Sequence, residues 1–406
     1  MRACGLIVEY NPFHNGHKYH IEEAKKISNA DCIIVVMSGN FLQRGEPAII
    51  DKFYRTKAAL TDGADIVLEL PYVYAVQNSD HFAYGAVQIL NAIGVSSICF
   101  GSESGKISHF INSHNVFTAN KTTFQEKIKS KLADGFSFPE ASMYAYQEIG
   151  LTNEDFDLAQ PNNILGYSYV KNILDHQFDI EPLTIKRFNN HYHTPEITNH
   201  IASATSIRKE LFKQDDKLTI GVRNALPSST IEQLELYKQL SGLWHNWEHY
   251  FELVNYRVQT MTSAELQNIH GVDEGLEHRV KRTAKTASNM TDWIEEIKTK
   301  RYTWTRIQRM FVHILTNTKK DDLKPFLEVK QNITYLRLLG MTKDGQNYLN
   351  KTKKNLDVPI LTAISRNMHP MLQLEEKATY AYYSILSPSA RKKLGKQEIS
   401  GPILFD

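Results

Sequence analysis

Short apolar runs alternate with amphipathic stretches through the first hundred residues, and this alternation restricts the possible folds more than any other feature. Apolar runs at 3–8, 32–37 and 65–70 are separated by stretches with helical spacing at 16–28 and 51–61. The runs CIIVV and DIVLEL are nearly continuous in apolar residues, as expected for strands covered on both faces in a parallel sheet. The pattern therefore predicts an α/β fold with a doubly wound parallel sheet.

The alternation continues towards residue 190. It predicts a helix over 82–93, a strand over 97–100, a helix over 164–174 and a strand over 183–188. The pattern does not give the order of the strands in the sheet.

The chain is long enough for more than one folding unit. Its 406 residues exceed one ordinary core, and an apolar fraction of 42% is sufficient for two. Beyond about residue 215 helical spacing dominates, as in 230–243 and 293–315. Pro227 and neighbouring serines interrupt the pattern. We therefore predict an α/β domain over 1–225 and a mainly α-helical domain over 226–406.

The N-terminal residues favour a cytoplasmic protein. The start MRACGLIVEYNPF has no apolar core followed by a small-residue cleavage site. No apolar run approaches the roughly 18 residues of a membrane span. We therefore expect a cytoplasmic location and no membrane partner.

The spacing of cysteines and histidines predicts no metal site. Three cysteines lie in short apolar runs without a CxxC pair, which indicates buried thiols: Cys4, Cys32 and Cys99. Two groups of histidines are close in sequence but include no cysteine: His14, His17 and His20, and His191, His193 and His200.

The tetrapeptide His14-Asn15-Gly16-His17 is the strongest chemical signal in the chain. It directly follows the first predicted strand and opens the first predicted helix. With this His and Gly content, HxGH is expected by chance only about 0.03 times in the chain. Its position makes a chance occurrence a poor explanation.

The chemistry of this tetrapeptide suits a bound polyphosphate. Free N–H groups at a helix N-terminus attract anions, and Gly16 permits their close approach. Two imidazoles one turn apart can donate hydrogen bonds where negative charge develops during attack on a phosphorus atom. We therefore predict that His14 and His17 are catalytic; the alternative is that they only cap the helix.

A second stretch, IASATSIR at 201–208, has the features of another anion site. Hydroxyls of Ser203, Thr205 and Ser206, with the first-turn N–H groups, can bind phosphate oxygens, and Arg208 supplies positive charge. Alone, the stretch is also typical of an ordinary N-cap. Gln43 and Arg44 follow the second strand, so a parallel sheet would bring them to the same edge as the histidines.

The formal net charge of +2 is small, but the positive charge is concentrated in one basic segment. Residues 276–309 contain nine Lys or Arg against four Asp or Glu, so they carry +5 and the remainder about −3. Cations that neutralise phosphates and aromatic rings that stack on exposed bases suit single-stranded RNA. The alternative is a solvated helix face with core aromatics. The candidate RNA-binding residues are Arg279, Lys281, Arg282, Lys300, Arg301, Tyr302, Trp304 and Arg306.

The motifs HNGH and ASATSIR resemble the HxGH and ISSTxIR motifs of the nucleotidyltransferase superfamily. Longer strings resemble the bacterial tRNA(Met) cytidine acetate ligases over nearly the full length: GLIVEYNPFHNGH, VVMSGNFLQRGEP, FGSESG, QPNNILG and KRFNNHYH. The resemblance implies a nucleotidyltransferase-like (HUP/Rossmann-like) first domain. It also adds Gly101, Asn162 and Arg187 to the residues around ATP.

Together, the motifs and the resemblance give a predicted ATP site. Its residues are Val8, Glu9, Tyr10, Asn11, Pro12, Phe13, His14, Asn15, Gly16, His17, His20, Gly101, Asn162, Arg187, Ser203, Thr205, Ser206 and Arg208.

The resemblance implies a ligase that acts on RNA. In that family, ATP and acetate give acetyl adenylate and pyrophosphate, and the acetyl group passes to N4 of the wobble cytidine of elongator tRNA(Met). The implied cofactor is ATP with Mg²⁺, and the implied partners are acetate and this tRNA, not DNA. The alternative is a small-molecule adenylyl- or cytidylyltransferase of the HxGH superfamily, which would leave the basic helical half unexplained.

Overall fold

The computed structural model describes residues 1–152, 156–187, 202–213, 217–273, 275–328, 333–365 and 369–405. The strands are β1 Ala3–Val8, β2 Cys32–Ser38, β3 Ile66–Leu70, β4 Ser97–Ser102, β5 Glu181–Lys186, β6 Leu336–Thr342, β7 Ile360–Leu361 and β8 Ile403–Phe405. The helices up to residue 213 are α1 Asn15–Ser28, α2 Lys52–Thr61, α3 Tyr72–Ala75, α4 Ser79–Ile93, α5 Ile107–Ala119, α6 Lys121–Ala133, α7 Phe138–Glu148, α8 Pro161–Asp175 and α9 Ala204–Lys213. The later helices are α10 Ile220–Ala225, α11 Ser228–Ser241, α12 Phe251–Thr260, α13 Ser263–Gln267, α14 Leu276–Thr283, α15 Met290–Ile297, α16 Trp304–Leu315, α17 Lys320–Leu327, α18 Lys343–Thr352, α19 Pro370–Tyr383 and α20 Pro388–Gly395.

One mixed sheet organises the chain, in the order β5-β4-β1-β2-β3-β6-β7, with β8 also paired to β6. Strands β1 to β5 pair in parallel, with Gly5 opposite Ile34 and Val35 opposite Val67, whereas β6 pairs antiparallel to β3. The order reverses at β1, because β2 and β3 lie on one side of it and β4 and β5 on the other. In open α/β sheets, ligands bind at the carboxyl ends of the strands at such a switch point.

The central strands of the sheet are buried on both faces, as the apolar runs predict. Cys32, Ile34 and Val36 pack into one hydrophobic layer, and Ile33 and Val35 pack into the other. All five are fully buried. This two-sided burial explains why β2 is a continuous apolar run and not an alternating one.

The predicted α/β fold is confirmed, with small shifts in the bounds. The predicted helix at 82–93 begins earlier, at Ser79, because the side chain of Asn78 accepts the backbone N–H of His81 and caps the helix. The last predicted strand of the first half ends at Lys186, two residues before the predicted end. Cys4, Cys32 and Cys99 are buried free thiols, and burial raises the pKa of each.

The C-terminal half is mainly helical but also supplies strands to the sheet. Strands β6, β7 and β8 extend it beyond β3, which the sequence pattern did not predict. The division at residue 225 stays a prediction. Among the described residues, no helix combines the length and apolar character needed to cross a membrane.

A buried ionic cluster joins the C-terminal segment to the sheet. Lys52 at the start of α2 lies 2.7 Å from Glu69 of β3, 2.8 Å from Glu398 and 3.8 Å from Glu375 of α19. Arg337 of β6 lies 3.4 Å from Glu398. These side chains are almost inaccessible to solvent, so their charges must balance one another locally.

Candidate active site

The HNGH tetrapeptide forms the turn between β1 and α1. His14 is the N-cap of α1: its Nδ1 accepts the backbone N–H of Gly16 at 3.0 Å. The backbone N–H of His14 donates to Nδ1 of His17 at 3.2 Å. The two rings therefore stack, with centroids 3.7 Å apart. The pair is both the helix cap and a preformed arrangement of two imidazoles at a helix N-terminus.

These contacts determine which nitrogen carries the proton. Because Nδ1 of each ring accepts a backbone N–H, the neutral tautomer of each has its proton on Nε2. Burial, together with the nearby charges of Arg187 and Arg208, lowers the pKa of His14 to about 3. Burial is the main cause that holds the pKa of His17 well below its usual range, and the neighbouring His14 ring contributes electrostatically. Both imidazoles are thus neutral Nε2–H donors at pH 7.

Aromatic side chains support this turn. The Tyr10 ring lies 4.8 Å from the His17 ring and 4.7 Å from the Phe13 ring. Tyr10 has a φ of 50°, and the Asn11–Pro12 peptide bond is cis. His20 lies one turn further along α1, and burial lowers its pKa to about 4.

The buried guanidinium of Arg55 fixes the loops that follow β1 and β2. Its Nη1 donates to the carbonyls of Glu9, at 2.6 Å, and Ser38, at 3.1 Å. Its Nη2 donates to the carbonyl of Gly39, and its Nε donates to that of Ile50 at 3.2 Å. Arg55 was not predicted as a site residue. Nothing in the local sequence shows that its side chain is buried or that it contacts the chain where β1 and β2 end.

Residues at the ends of β4 and β5 complete the opposite side of the switch point. A Cβ on Gly101 would lie only 3.1 Å from Cγ of Arg187, so glycine allows that side chain to cross β4. Arg187 Nη1 donates to Asn162 Oδ1 at 3.0 Å, and Asn162 Nδ2 donates to Glu103 Oε1 at 2.6 Å. Glu103 also accepts the backbone N–H groups of Asn162 and Asn163, at 3.2 and 2.8 Å.

Glu103 therefore caps α8 and holds Asn162 in place for Arg187. The exposed guanidinium of Arg187 affects both His14 and His17 electrostatically. The three positions added by the family resemblance thus lie together, beside the imidazole pair. Glu103 was not predicted as a site residue. It lies in the string FGSESG, but no catalytic or phosphate-binding motif includes it.

The second motif reaches the same edge through Arg208. Its Nη1 donates to the carbonyl of Asn11 at 2.8 Å, and its Nη2 pairs with Glu46 at 2.8 Å. Ser203 caps α9, since its Oγ accepts the backbone N–H of Ser206 at 3.1 Å. Thr205 lies in the first turn. Arg208 therefore lies against the loop that precedes His14.

The remaining predicted ATP-site positions follow from the chain path. Val8 ends β1, and the side chain of Glu9 accepts the backbone N–H of Gln43 at 2.8 Å. Asn15 begins α1, and its Nδ2 donates to the carbonyl of Asn224 at 2.9 Å. The prediction that the loop after β2 lies at the histidine edge is borne out by the contact between Gln43 and Glu9.

The basic segment combines exposed cations with cations that stabilise the helices. Lys281 donates to the carbonyls of Val258, at 3.1 Å, and Met261, and so caps α12. Arg279 donates to the carbonyl of Glu296 at 2.8 Å. The Tyr302 ring is buried, with the Arg306 guanidinium 4.9 Å from its centroid. Of the other candidates, three are exposed, namely Arg282, Lys300 and Arg301, and Trp304 is half-buried, as are Arg279, Lys281 and Arg306.

No protein-based metal centre is found in the part of the chain that the structure describes. Within it, no three His, Cys, Asp or Glu side chains are grouped closely enough to hold an ion. The histidines at 191, 193 and 200 lie outside the described residues.

Comparisons with known proteins agree over the full length of the chain. A model of the HIGH Nucleotidyl Transferase family matches residues 1–398. The tRNA(Met) cytidine acetate ligase of Oceanobacillus iheyensis is 56% identical over 405 residues, and the match covers 100% of both chains. That of Bacillus subtilis is 45% identical over 410 residues, which cover 100% of this chain and 98% of the relative.

Solved structures give the same result. The crystal structure of Thermotoga maritima TmcAL bound with alpha-thio ATP has a TM-score of 0.89 and 32% sequence identity, and covers 100% of both chains. The apo form of the same protein has a TM-score of 0.88 with the same identity and coverage. The chain therefore belongs to the HIGH nucleotidyl transferase family and, within it, to the family of the tRNA(Met) cytidine acetate ligases.

Proposed function

We propose that this protein uses ATP to convert acetate to acetyl adenylate and then acetylates N4 of the wobble cytidine of elongator tRNA(Met). An acetate oxygen attacks the α-phosphorus of ATP, the bond to the β-phosphate oxygen breaks, and pyrophosphate leaves. The cytidine amine then attacks the acetyl carbonyl, loses a proton, and AMP leaves with the bonding electrons. The full-length relatives named for this reaction support the assignment.

The stacked pair of neutral imidazoles is the observation that carries the proposal. Negative charge grows on the nonbridging oxygens and on pyrophosphate during attack at the α-phosphorus. Two Nε2–H donors fixed by backbone contacts can stabilise that charge without having to reorganise. We therefore assign His14 and His17 the catalytic role in the adenylate-forming step.

Positive charge around the pair supports ATP as the nucleotide. In our proposal Arg187 and Arg208 face the phosphates from opposite sides of the loop, and the start of α9 adds backbone N–H groups. The solved relative carries an ATP analogue. Mg²⁺ would enter with ATP, held by its phosphate oxygens, because the described residues supply no metal cluster.

The exposed cations of the basic segment support RNA as the second substrate. We propose that Arg282, Lys300 and Arg301 contact tRNA phosphates and that Trp304 stacks on an unpaired base. Four residues would then support this surface from below: Arg279, Lys281, Tyr302 and Arg306. The three cations among them would also add positive charge to it. Elongator tRNA(Met) as the substrate places the reaction in the cytoplasm.

Mass spectrometry of nucleosides tests the whole assignment. Unmodified elongator tRNA(Met) transcript is incubated with the protein, ATP and isotopically labelled acetate. We expect labelled N4-acetylcytidine that depends on ATP. The alternative is a small-molecule adenylyl- or cytidylyltransferase. It would be supported if no nucleoside is labelled but a phosphorylated small molecule receives an adenylyl or cytidylyl group.

A further inference from the structure

A polar cluster joins the basic segment to the catalytic edge, the edge of the sheet where β1 and β2 end beside His14. It is formed by the segment between α3 and α4, the loop between α13 and α14, and helices α16 and α17. We call it the Arg309 cluster; its members are Gln77, His270, Asp273, Arg306, Arg309 and Lys320.

Gln43 connects this cluster directly to the catalytic edge. Its backbone N–H donates to the Glu9 carboxylate at 2.8 Å, immediately after β1. Its Nε2 donates to the Gln77 carbonyl at 2.9 Å, and its own carbonyl accepts Arg309 Nη1 at 3.2 Å. Gly45, with a φ of 74°, packs so closely on α16 that a Cβ would lie 2.2 Å from the backbone nitrogen of Arg309.

The cluster contains more positive than negative charge. Asp273 pairs with Lys320 at 2.8 Å and with Arg306 at 3.7 Å. Arg309 donates to the Gln43 carbonyl, and no carboxylate within the described ranges pairs with it. Burial and the nearby charge of Arg306 lower the pKa of Arg309 to about 10, so it stays charged at pH 7. Among its described residues, the cluster therefore holds three half-buried cations and one carboxylate, an arrangement that favours an added anion.

Gln77 adds an unused hydrogen-bond donor to the same place. Its side chain is 5% exposed, and its Nε2 has no hydrogen-bond partner. Its Oε1 lies 3.4 Å from Nε2 of His270. Buried amide donors are normally paired. The Gln77 amide could therefore donate a hydrogen bond to an acceptor atom of a ligand bound in this cluster.

We propose that the Arg309 cluster binds the phosphate backbone beside the acceptor nucleotide of the substrate RNA and guides that nucleotide to the catalytic edge. The inference rests on the proposed function, because it gives the RNA substrate a path between the basic segment and His14. The Asp273 carboxylate occupies the position of an RNA phosphate on Lys320 and Arg306. Arg309 then contacts a second phosphate while it holds the Gln43 loop.

RNA binding measured without any reaction tests the cluster. Binding of full-length tRNA(Met) transcript to the intact protein is followed by fluorescence anisotropy in a potassium chloride series from about 50 to 200 mM. Arg309→Gln and Lys320→Gln should each weaken binding and reduce the slope of log Kd against log salt by about one.

Arg257→Gln is the matched control. Arg257 is also half-buried on a helix and also donates to a backbone carbonyl, that of Ile314, at 2.8 Å. It lies outside the cluster, so its removal should leave the salt slope as in the wild type. Thermal unfolding of each variant shows whether it is folded; if Arg309→Gln is not, Lys320→Gln and Asp273→Asn carry the test.

Asp273→Asn gives a result of opposite sign. Removal of the carboxylate frees Lys320 and Arg306 for phosphate, so tRNA should bind about two- to fivefold more tightly, the range that an exposed ion pair supplies. A purely structural role of Asp273 would weaken binding instead.

The outcomes separate the inference from the proposed function. If the wild type acetylates tRNA but none of the cluster variants changes Kd or the salt slope, the inference is overturned. If the wild type makes no acetylcytidine while Asp273→Asn tightens RNA binding and Arg309→Gln weakens it, the cluster is an RNA site and the proposed reaction is wrong.

Discussion

At the scale of single residues, His14 and His17 combine a structural role and a proposed chemical role in the same two rings. The Nδ1 atoms complete the N-terminal cap of α1, and the Nε2–H groups are directed away from those contacts. A capping interaction that fixes the tautomer therefore also prepares the donors for a phosphate. This dual use explains why the two readings of the HNGH motif, cap or catalyst, need not compete.

Replacing His17 with alanine should reduce acetyl adenylate formation by about 10²-fold or more, because one transition-state donor is lost. Pyrophosphate release that depends on acetate measures this step without RNA. Lys18→Gln on the same helix is the control, since the half-exposed Lys18 side chain pairs with Asp62 at 3.1 Å. Near-normal pyrophosphate release by His17→Ala would remove this residue from the mechanism.

The low pKa of His14 predicts a specific dependence of stability on pH. Its folded pKa of about 3 lies below the value of roughly 6.5 in an unfolded chain, so the unfolded state binds more protons between these values. This histidine therefore stabilises the fold above pH 6.5 and loses that contribution as the pH falls. His14→Asn, which keeps a good N-cap, should unfold in urea with a weaker loss of stability between pH 6.5 and 4 than the wild type. An identical pH dependence would contradict a neutral buried His14.

At the scale of elements, Arg55 connects helix α2 to the ends of β1 and β2. Four backbone carbonyls accept its N–H groups, including that of Glu9 next to the catalytic turn. Arg55→Met would leave these buried acceptors unpaired, so we expect the free energy of unfolding to fall by about 3 kcal/mol or more. Arg55→Lys should recover only part of the loss, because an ammonium lacks the planar fork. A loss below about 1 kcal/mol in urea unfolding would show that the contacts are replaceable.

At the scale of the whole molecule, the buried cluster around Lys52 joins residues more than 300 positions apart. Lys52→Met would leave Glu69 and Glu398 without their shared cation, a change that typically costs about 3–5 kcal/mol. The combined variant with Glu69→Gln should recover much of that loss, because Arg337 still faces Glu398 at 3.4 Å. Calorimetry should show one cooperative transition for the wild type. Two well-separated transitions would mean that the cluster does not couple the helical half to the sheet.

The sequence by itself determined the strands of the first half, since two-sided burial makes β2 and β3 continuous apolar runs. It also predicted helices α1, α2, α4 and α8, but not α5, α6 or α7. It also predicted the location of the candidate site, because HNGH directly follows the first predicted strand and opens the first predicted helix. Helical spacing likewise identified the character of the C-terminal half. Local pattern was sufficient in each case, because the burial of a strand and the capping of a helix depend on neighbouring residues.

Only the tertiary structure decided which distant residues meet. Arg55 and Glu103 reach the site through backbone contacts that have no sequence signal, and β6 joins β3 across more than 260 residues. The same limit applies to the charges: Lys281 and Arg306 belong to one basic run in sequence, yet one caps a helix and the other covers a buried ring. Pairing across such distances depends on how the layers pack, and a linear pattern of residues does not record that packing.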